Sequence, residues 1–241
     1  MKKKKVDPRC FLDKADLRDI PAYSIADAAH YLLIPATTIR AWVAGRPYRT
    51  NEGHRRFEPV IALPERNTLL LSFYNLAEAH VLRALRAKYG IKLRDIRLAL
   101  EYVEQKLGTK RPLLAQNFKT DGVSLFVERF GHLVDATAHG QIVMREVMEA
   151  HLERLEWENK VVARLYPFTR SDYRAAPRSV FIDPRFSFGR PILRDSRIAT
   201  AVIAQRYKAG DSIDDLATDY GCDRSEIEEA VRCELRLPTA A

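Results

Sequence analysis

The stretch Ser24–Val43, "SIADAAHYLLIPATTIRAWV", decides how this chain is read. Ser24 with Asp27 three residues on is an N-cap signature, and a short helix is expected to follow it. Leu33 and Ile34 interrupt that helix, and Pro35 reopens it, because proline suits a first helical turn. If the small Ala29 sits where two helices cross, Ile34, Ile39 and Trp42 fall at packing positions. Ala36, Thr37, Arg40 and Ala41 then face outward. This is the pattern of a helix-turn-helix, with Leu33 where the turn usually carries glycine. A second helix showing short side chains and one arginine suits a DNA major groove, where Ala and Thr meet thymine methyls and Arg reaches guanine or phosphate. The plainer alternative is a helical hairpin whose Arg40 is merely solvated.

The next residues favour DNA. From Arg40 to Arg56 stand five arginines, Arg40, Arg46, Arg49, Arg55 and Arg56, against one acid, Glu52. Backbone phosphates dominate DNA affinity, and a basic hairpin beside the helix supplies contacts to them. Asn51-Glu52-Gly53 provides turn chemistry, and Arg56–Ile61 and Thr68–Phe73 are candidate strands. Amphipathic helices are expected at Leu76–Tyr89 and Leu93–Leu107, with Gly90 and Gly108 as stops. "AQNFKTDGVSLFVERFGHLVDATAHG" reads as a small hairpin unit turning at Asp121-Gly122. Gln141–Asn159 reads as a helix and Val161–Phe168 as extended chain. A polar linker, a strand near Val180–Ile182 and three helices complete the sequence.

The terminal helices hold a second helix-turn-helix pattern of opposite charge, "SIDDLATDYGCDRSEIEEAVRCEL". Ala217 falls at the crossing, Gly221 in the turn, and Ile227 and Ala230 at packing positions. Ser212 with Asp215, and Ser225 with Glu228, read as capping boxes. Asp211 to Arg236 carries nine acids and three arginines, a balance of −6. Its second helix is expected to expose Glu226, Glu228 and Glu229, which phosphates would repel. A packing module for dimerisation or partner binding fits better than a DNA reader. Just before it, "GRPILRDSRI" sets Arg190, Arg194 and Arg197 among apolar residues. Those arginines could meet a partner, or form a turn and pair with the module's own acids.

Composition narrows the classes. The formal net charge of +8 over 241 residues suits a polyanionic partner without requiring one. Three scattered cysteines, Cys10, Cys222 and Cys233, indicate neither a disulfide framework nor a cysteine-based zinc site. No apolar run reaches membrane-spanning length and the basic start lacks a signal-peptide core, so a cytoplasmic protein is expected. No HExxH, GxSxG or P-loop pattern occurs, and the six histidines are dispersed. His132, Asp135 and His139 read as polar residues of a β unit rather than a metal site. No enzyme activity, cofactor or metal is expected.

Two resemblances can now be named. Residues 22–108 resemble the winged helix-turn-helix of MerR-type regulators: "TTIRAWV" is similar to the recognition helix, and "EGHRRF" to the wing, with His54 in place of the usual Tyr. "ALRAKYGIKLRDIRLAL" resembles the helices after the wing. By position the resemblance implicates Arg40, His54, Arg55 and Arg56 in holding DNA; with Ala36, Thr37, Arg46 and Arg49 they make the expected DNA-binding set. Phe181–Leu235 resembles the bacterial domain-of-unknown-function family numbered 433, with "RDSRI" where that family usually has Gly-Thr-Arg-Ile. Such domains are commonly antitoxins encoded beside PIN-like ribonuclease toxins. A longer form with an N-terminal DNA-binding domain resembles unconventional VapB-type antitoxins.

The fold expected is mainly α with small β elements. It comprises a flexible basic arm over 1–20 and a MerR-like winged helix-turn-helix over 21–110. A mixed α/β connecting region spans 111–178, and a C-terminal trihelical, helix-turn-helix-like antitoxin domain spans 179–241. The resemblance implies a homodimeric, operator-binding autorepressor that neutralises a PIN-like ribonuclease toxin of a type II system. Arg190, Arg194 and Arg197 are the candidate toxin contacts, because a basic side chain delivered into the metal-binding carboxylates of such a nuclease would block it. The alternative is a MerR-like transcriptional regulator with no toxin partner.

Overall fold

A computed structural model describes residues 16–50, 53–65, 67–86, 93–134, 138–170, 172 and 175–235; the side chains at 47–50, 54, 55, 57, 85, 86, 130–134 and 138–140 lie outside that description. The described chain is mainly helical, with three two-stranded antiparallel sheets. No helix among the described residues is long and apolar enough to cross a membrane.

The helix-turn-helix forms as expected. Helix α1 (Ile25–Leu32) starts on a reciprocal capping box between Ser24 and Asp27. Leu33 takes the left-handed conformation (φ 53°, ψ 44°) that the turn requires, at a cost of about 1–2 kcal/mol relative to glycine. Helix α2 (Ala36–Ala44) follows with Pro35 as its N-cap. Ala29, Ile34, Ile39 and Trp42 are all buried. Strands β1 (Arg46–Thr50) and β2 (Gly53–Phe57) make the wing, with Arg49 opposite His54.

Of the strand expected at 56–61 only Arg56 and Phe57 are extended, as the end of β2, and the strand expected at 68–73 does not form. Beyond Phe57 the chain is irregular, pinned by the Val60 and Ile61 N–H groups on the Trp42 carbonyl (2.8 and 3.1 Å) and by an isolated bridge between Tyr23 and Leu71. Ser72 and Asn75 then cap helix α3 (Phe73–Arg86) reciprocally. Helix α4 (Leu93–Leu107) has the expected bounds, and residues 87–92 lie outside the described residues.

Two expectations in the connecting region are overturned. The hairpin expected at Asp121-Gly122 is a helical start: two 3-10 turns lead into helix α5 (Gly122–Val134). Val123, Phe126 and Val127 are buried at i, i+3 and i+4, the helical period. Gly122 is glycine for closeness, since a Cβ there would run into the Phe118 ring. The helix expected over Gln141–Asn159 is helix α6 (Ala138–Leu152), and the rest is strand β3 (Leu155–Glu158). Asn159 and Lys160 both have positive φ (50° and 68°), as a two-residue hairpin turn demands, and return the chain as β4 (Val161–Leu165).

The main hydrophobic cluster runs from Tyr23 to Ile182, so the helix-turn-helix, α3–α6 and the β3–β4 hairpin share one core. Strand β5 (Val180–Phe181) pairs with β6 (Ile192–Leu193), and Ile182 bridges to Leu165. Helices α7 (Thr200–Ala209), α8 (Ile213–Tyr220) and α9 (Arg224–Leu235) enclose a separate, smaller cluster around Leu193, Ile203, Leu216 and Ile227. Ser212 caps α8 as expected, but Ser225 lies inside α9: there the Glu226 carboxylate accepts from the Asp223 N–H. Of the arm expected over 1–20, residues 1–15 lie outside the described residues, and Leu17–Asp19 form a 3-10 turn.

Where α3 meets α6, His80 and His151 are buried against Phe168, with Arg154 4.6 Å from that ring's centre. The His80 Nε2–H donates to the His151 carbonyl (3.2 Å), and the His151 Nδ1–H to the Val147 carbonyl (2.8 Å). Burial holds both imidazoles neutral, reinforced by Arg83 and Arg154; His151 is pushed down to about 4, and His80 well below its ordinary value. Depressed folded-state values mean stability is full above the unfolded value of 6.5 and falls as pH drops toward 4. Between pH 7.5 and pH 5, His151 alone should remove about 2 kcal/mol. Urea midpoints across that range should fall accordingly, and less so in His151→Gln. A flat profile would contradict the buried neutral pair.

Candidate functional site

The outer face of α2 carries the expected set. Ala36, Thr37 and Arg40 are exposed, while Thr38 and Ile39 turn inward. Arg40 makes no ion pair among the described residues. Arg46 and Arg56 are exposed on the adjoining wing, and the Arg56 guanidinium donates to the Ala44 carbonyl at the C-terminus of α2. That bond ties wing to helix and favours the helix macrodipole. Arg49, His54 and Arg55 stand on the same hairpin, but their side chains lie outside the described residues. A short helix face without acids beside a basic two-stranded wing can enter a groove and hold the flanking phosphates.

The second helix-turn-helix is built differently. Glu229, expected on the exposed face of α9, is 1% exposed. Burial alone would raise its pKa, but donation from Thr169, Arg170 (2.6 Å) and Arg232 (2.6 Å) outweighs that and holds the carboxyl below its ordinary value. Glu229 therefore clamps α9 to the segment after β4. Its neighbours Glu226 and Glu228 lie nearer the surface, and Glu228 pairs with Arg224 and Arg232. Arginines thus meet much of the module's acidity internally.

The three arginines of "GRPILRDSRI" separate. Arg190 reaches across to α1, donating to the Tyr31 hydroxyl (3.1 Å) and to Asp27 (3.4 Å). Arg194 pairs with the adjacent Asp195 at 3.1 Å, both exposed. Arg197, the left-handed residue of the turn (φ 59°), lays its guanidinium 4.7 Å from the centre of the Phe186 ring. The left-handed position is therefore Arg197, two residues after Asp195.

Pattern reading missed the joint that places this segment. Ser187, Phe188 and Gly189 are three consecutive residues with positive φ (47°, 54° and 74°). The buried Tyr23 hydroxyl donates to the Gly189 carbonyl at 2.9 Å, and a Cβ on residue 189 would run into that hydroxyl. Upstream, the buried Asp183 is held by Arg164 (3.2 Å) and Arg185 (2.7 Å), which also bind Glu156 and Glu158 of β3. The only sequence signal was Gly189 itself, since apolar periodicity is silent about left-handed turns. Among the described residues no His, Cys, Asp or Glu cluster is suited to a metal.

Comparison with known proteins follows the same division. Residues 21–100 match a family model described as "Putative DNA-binding HTH domain", and residues 180–232 match "Protein of unknown function (DUF433)". The chain is 28% identical over 230 residues to the Mycobacterium tuberculosis (strain ATCC 25618 / H37Rv) protein named "Putative antitoxin VapB45", covering 88% of this chain and 93% of that one. The crystal structure of Rv2018 from Mycobacterium tuberculosis has the same fold, with a TM-score of 0.63 at 23% identity, covering 88% of this chain and 98% of that one.

The Tyr23–Gly189 joint is testable by a double-mutant cycle. Tyr23→Phe should cost about 1 kcal/mol by leaving the carbonyl unpaired. Gly189→Ala should cost about 2 kcal/mol or more, from the left-handed backbone and the clash. The double variant should be more stable than the sum of the two in urea unfolding, because the clash needs the hydroxyl. Strict additivity would break the assignment.

Proposed function

We propose that this chain is the antitoxin of a type II toxin–antitoxin pair that binds its own operator and neutralises a PIN-like ribonuclease. One observation carries the reading. A DNA-type helix face and basic wing stand on the same folded body as a partner-type module whose basic segment precedes acidic helices. Similarity over most of the chain to a protein named as an antitoxin supports it.

In this reading Ala36 and Thr37 contact base edges, Arg40 reaches a guanine or phosphate, and Arg46, Arg49, His54, Arg55 and Arg56 hold the backbone. A single helix-turn-helix reads one half-site, so the chain acts as a homodimer on a two-fold operator. The C-terminal module holds the nuclease. Arg190, Arg194 and Arg197 are the candidates for opposing the carboxylates that hold Mg²⁺ in the nuclease; Arg190 and Arg194 would first have to leave Asp27 and Asp195, whereas Arg197 lies exposed over the Phe186 ring.

Two measurements test this. A labelled fragment from upstream of the gene should be retarded by the wild-type chain. Arg40→Ala with Arg56→Ala should weaken that binding by tenfold or more and flatten its salt dependence. An unaltered shift would move the DNA contacts elsewhere. Coexpression with an adjacent nuclease gene should yield a complex with suppressed ribonuclease activity. Operator binding with no nuclease captured would instead favour a MerR-like regulator without a toxin.

A further inference from the structure

One side chain stands apart from everything used so far. Phe188 is 97% exposed, the most exposed large hydrophobic side chain among the described residues. Its neighbour two positions back, Phe186, is folded inward, edge-on to Phe181 and beneath the Arg197 guanidinium. Of the two rings in "FSFG", one is half-buried against the Tyr166–Phe181–Ile192 cluster and the other is held out in water.

The backbone that holds it is costly. Ser187, Phe188 and Gly189 form a left-handed turn, closed by the Gly189 N–H on the Phe186 carbonyl (2.8 Å) and the Arg190 N–H on the Ser187 carbonyl (3.0 Å). Only glycine takes that region freely; Ser187 and Phe188 are strained there. The strain persists because both ends are fixed, by the Asp183–Arg185 network before the turn and the Tyr23 hydroxyl after it. Packing gives no reason for a phenylalanine here, since a polar residue would serve the fold better. A rigid, fully exposed aromatic is the form an interface anchor takes.

Charge selects the occupant. Arg185, Arg190 and Arg194 each have a carboxylate partner, whereas Arg197 has only the Phe186 ring among the described residues. Arg197 is thus an exposed cation close to Phe188 that an acidic partner can meet. DNA phosphates are disfavoured, because they offer the fully exposed Phe188 ring no apolar contact. A second copy of this chain is a poorer complement, because its own arginines already pair Asp211, Asp214, Asp219, Glu228 and Glu229 of its acidic module. An acidic protein surface with an apolar pocket fits both features.

We propose that Phe188 is the anchor by which this chain grips its nuclease partner, seated in an apolar pocket whose rim carboxylate pairs with Arg197. This rests on the function proposed above.

The test uses the full chain and the adjacent nuclease, with affinity measured on immobilised nuclease. Phe188→Ala should weaken binding about thirtyfold or more, as loss of a central anchor does. Phe188→Gly, which removes the ring while suiting the left-handed turn, should do the same with an unchanged fold by circular dichroism. Phe188→Leu should retain binding to within about tenfold, and Arg197→Glu should lose tenfold or more. Operator binding and sedimentation of the chain alone should not change. If wild type binds the nuclease and Phe188→Gly binds it equally, the anchor is refuted while the antitoxin reading stands. If wild type binds no nuclease, both fall. Selective loss of operator binding in Phe188→Gly would assign the ring to DNA, and loss of self-association would assign it to a second copy; either overturns the proposal.

Discussion

The hydroxyl of Tyr23 donates to the carbonyl of Gly189 across 166 residues of chain, and that buried bond ties the entry of the helix-turn-helix to the opening of the C-terminal module. Tyr23 precedes α1, and its backbone also bridges to Leu71 just before α3. One residue therefore fixes the entry of the helix-turn-helix, the end of the irregular segment beyond the wing, and the turn that opens the C-terminal module. Arg190 adds a second tie one residue later, through Tyr31 and Asp27 of α1. Because both groups of the Tyr23–Gly189 bond are buried, losing either partner would strand the other without water.

Where local chemistry governs, the sequence was readable. The Ser24 and Ser212 caps, Pro35 at the head of α2, and the packing positions Ile34, Ile39 and Trp42 are all visible as residue types at fixed spacing. The outward set Ala36, Thr37 and Arg40 follows from the same helical geometry. Asp121-Gly122 misled because it has turn chemistry, while the deciding fact is tertiary: Gly122 lies against Phe118 and starts a helix. Glu153–Asn159 was absorbed into a helix because its charged residues suit one, yet Asn159 and Lys160 accept the left-handed conformations of a hairpin tip. Glu229 shows the limit most plainly. Helical periodicity placed a carboxylate outward, but Thr169 and Arg170, about sixty residues away, make its burial favourable.

The charge pattern has a matching logic. Opposite signs in the two helix-turn-helix units suggested two kinds of partner, and the structure adds that they are electrostatically finished to different degrees. Arginines pair with Asp214, Asp219, Glu228 and Glu229 of α8 and α9, while Asp215, Glu226 and Glu234 bond instead to Ser212, the Asp223 N–H and Thr200, so part of that module's acidity is met within it. Around α2 and the wing, Arg40 and Arg46 have no carboxylate partner among the described residues. A surface with unmet cations keeps its long-range field and attracts a polyanion, whereas paired charges contribute chiefly at contact.

The separate cluster inside α7–α9 has a consequence for how the molecule breathes. Seven buried residues, Val180, Leu193, Ile203, Leu216, Ile227, Ala230 and Cys233, make a core too small to be firm alone, joined to the larger body by Glu229, Tyr23 and Arg190. Such a unit opens sub-globally, and its amides exchange with solvent through excursions that leave α3 and α4 closed. A ligand seated on it would slow that exchange in α7–α9 first, so that the lifetime of this small-cored unit would record occupancy.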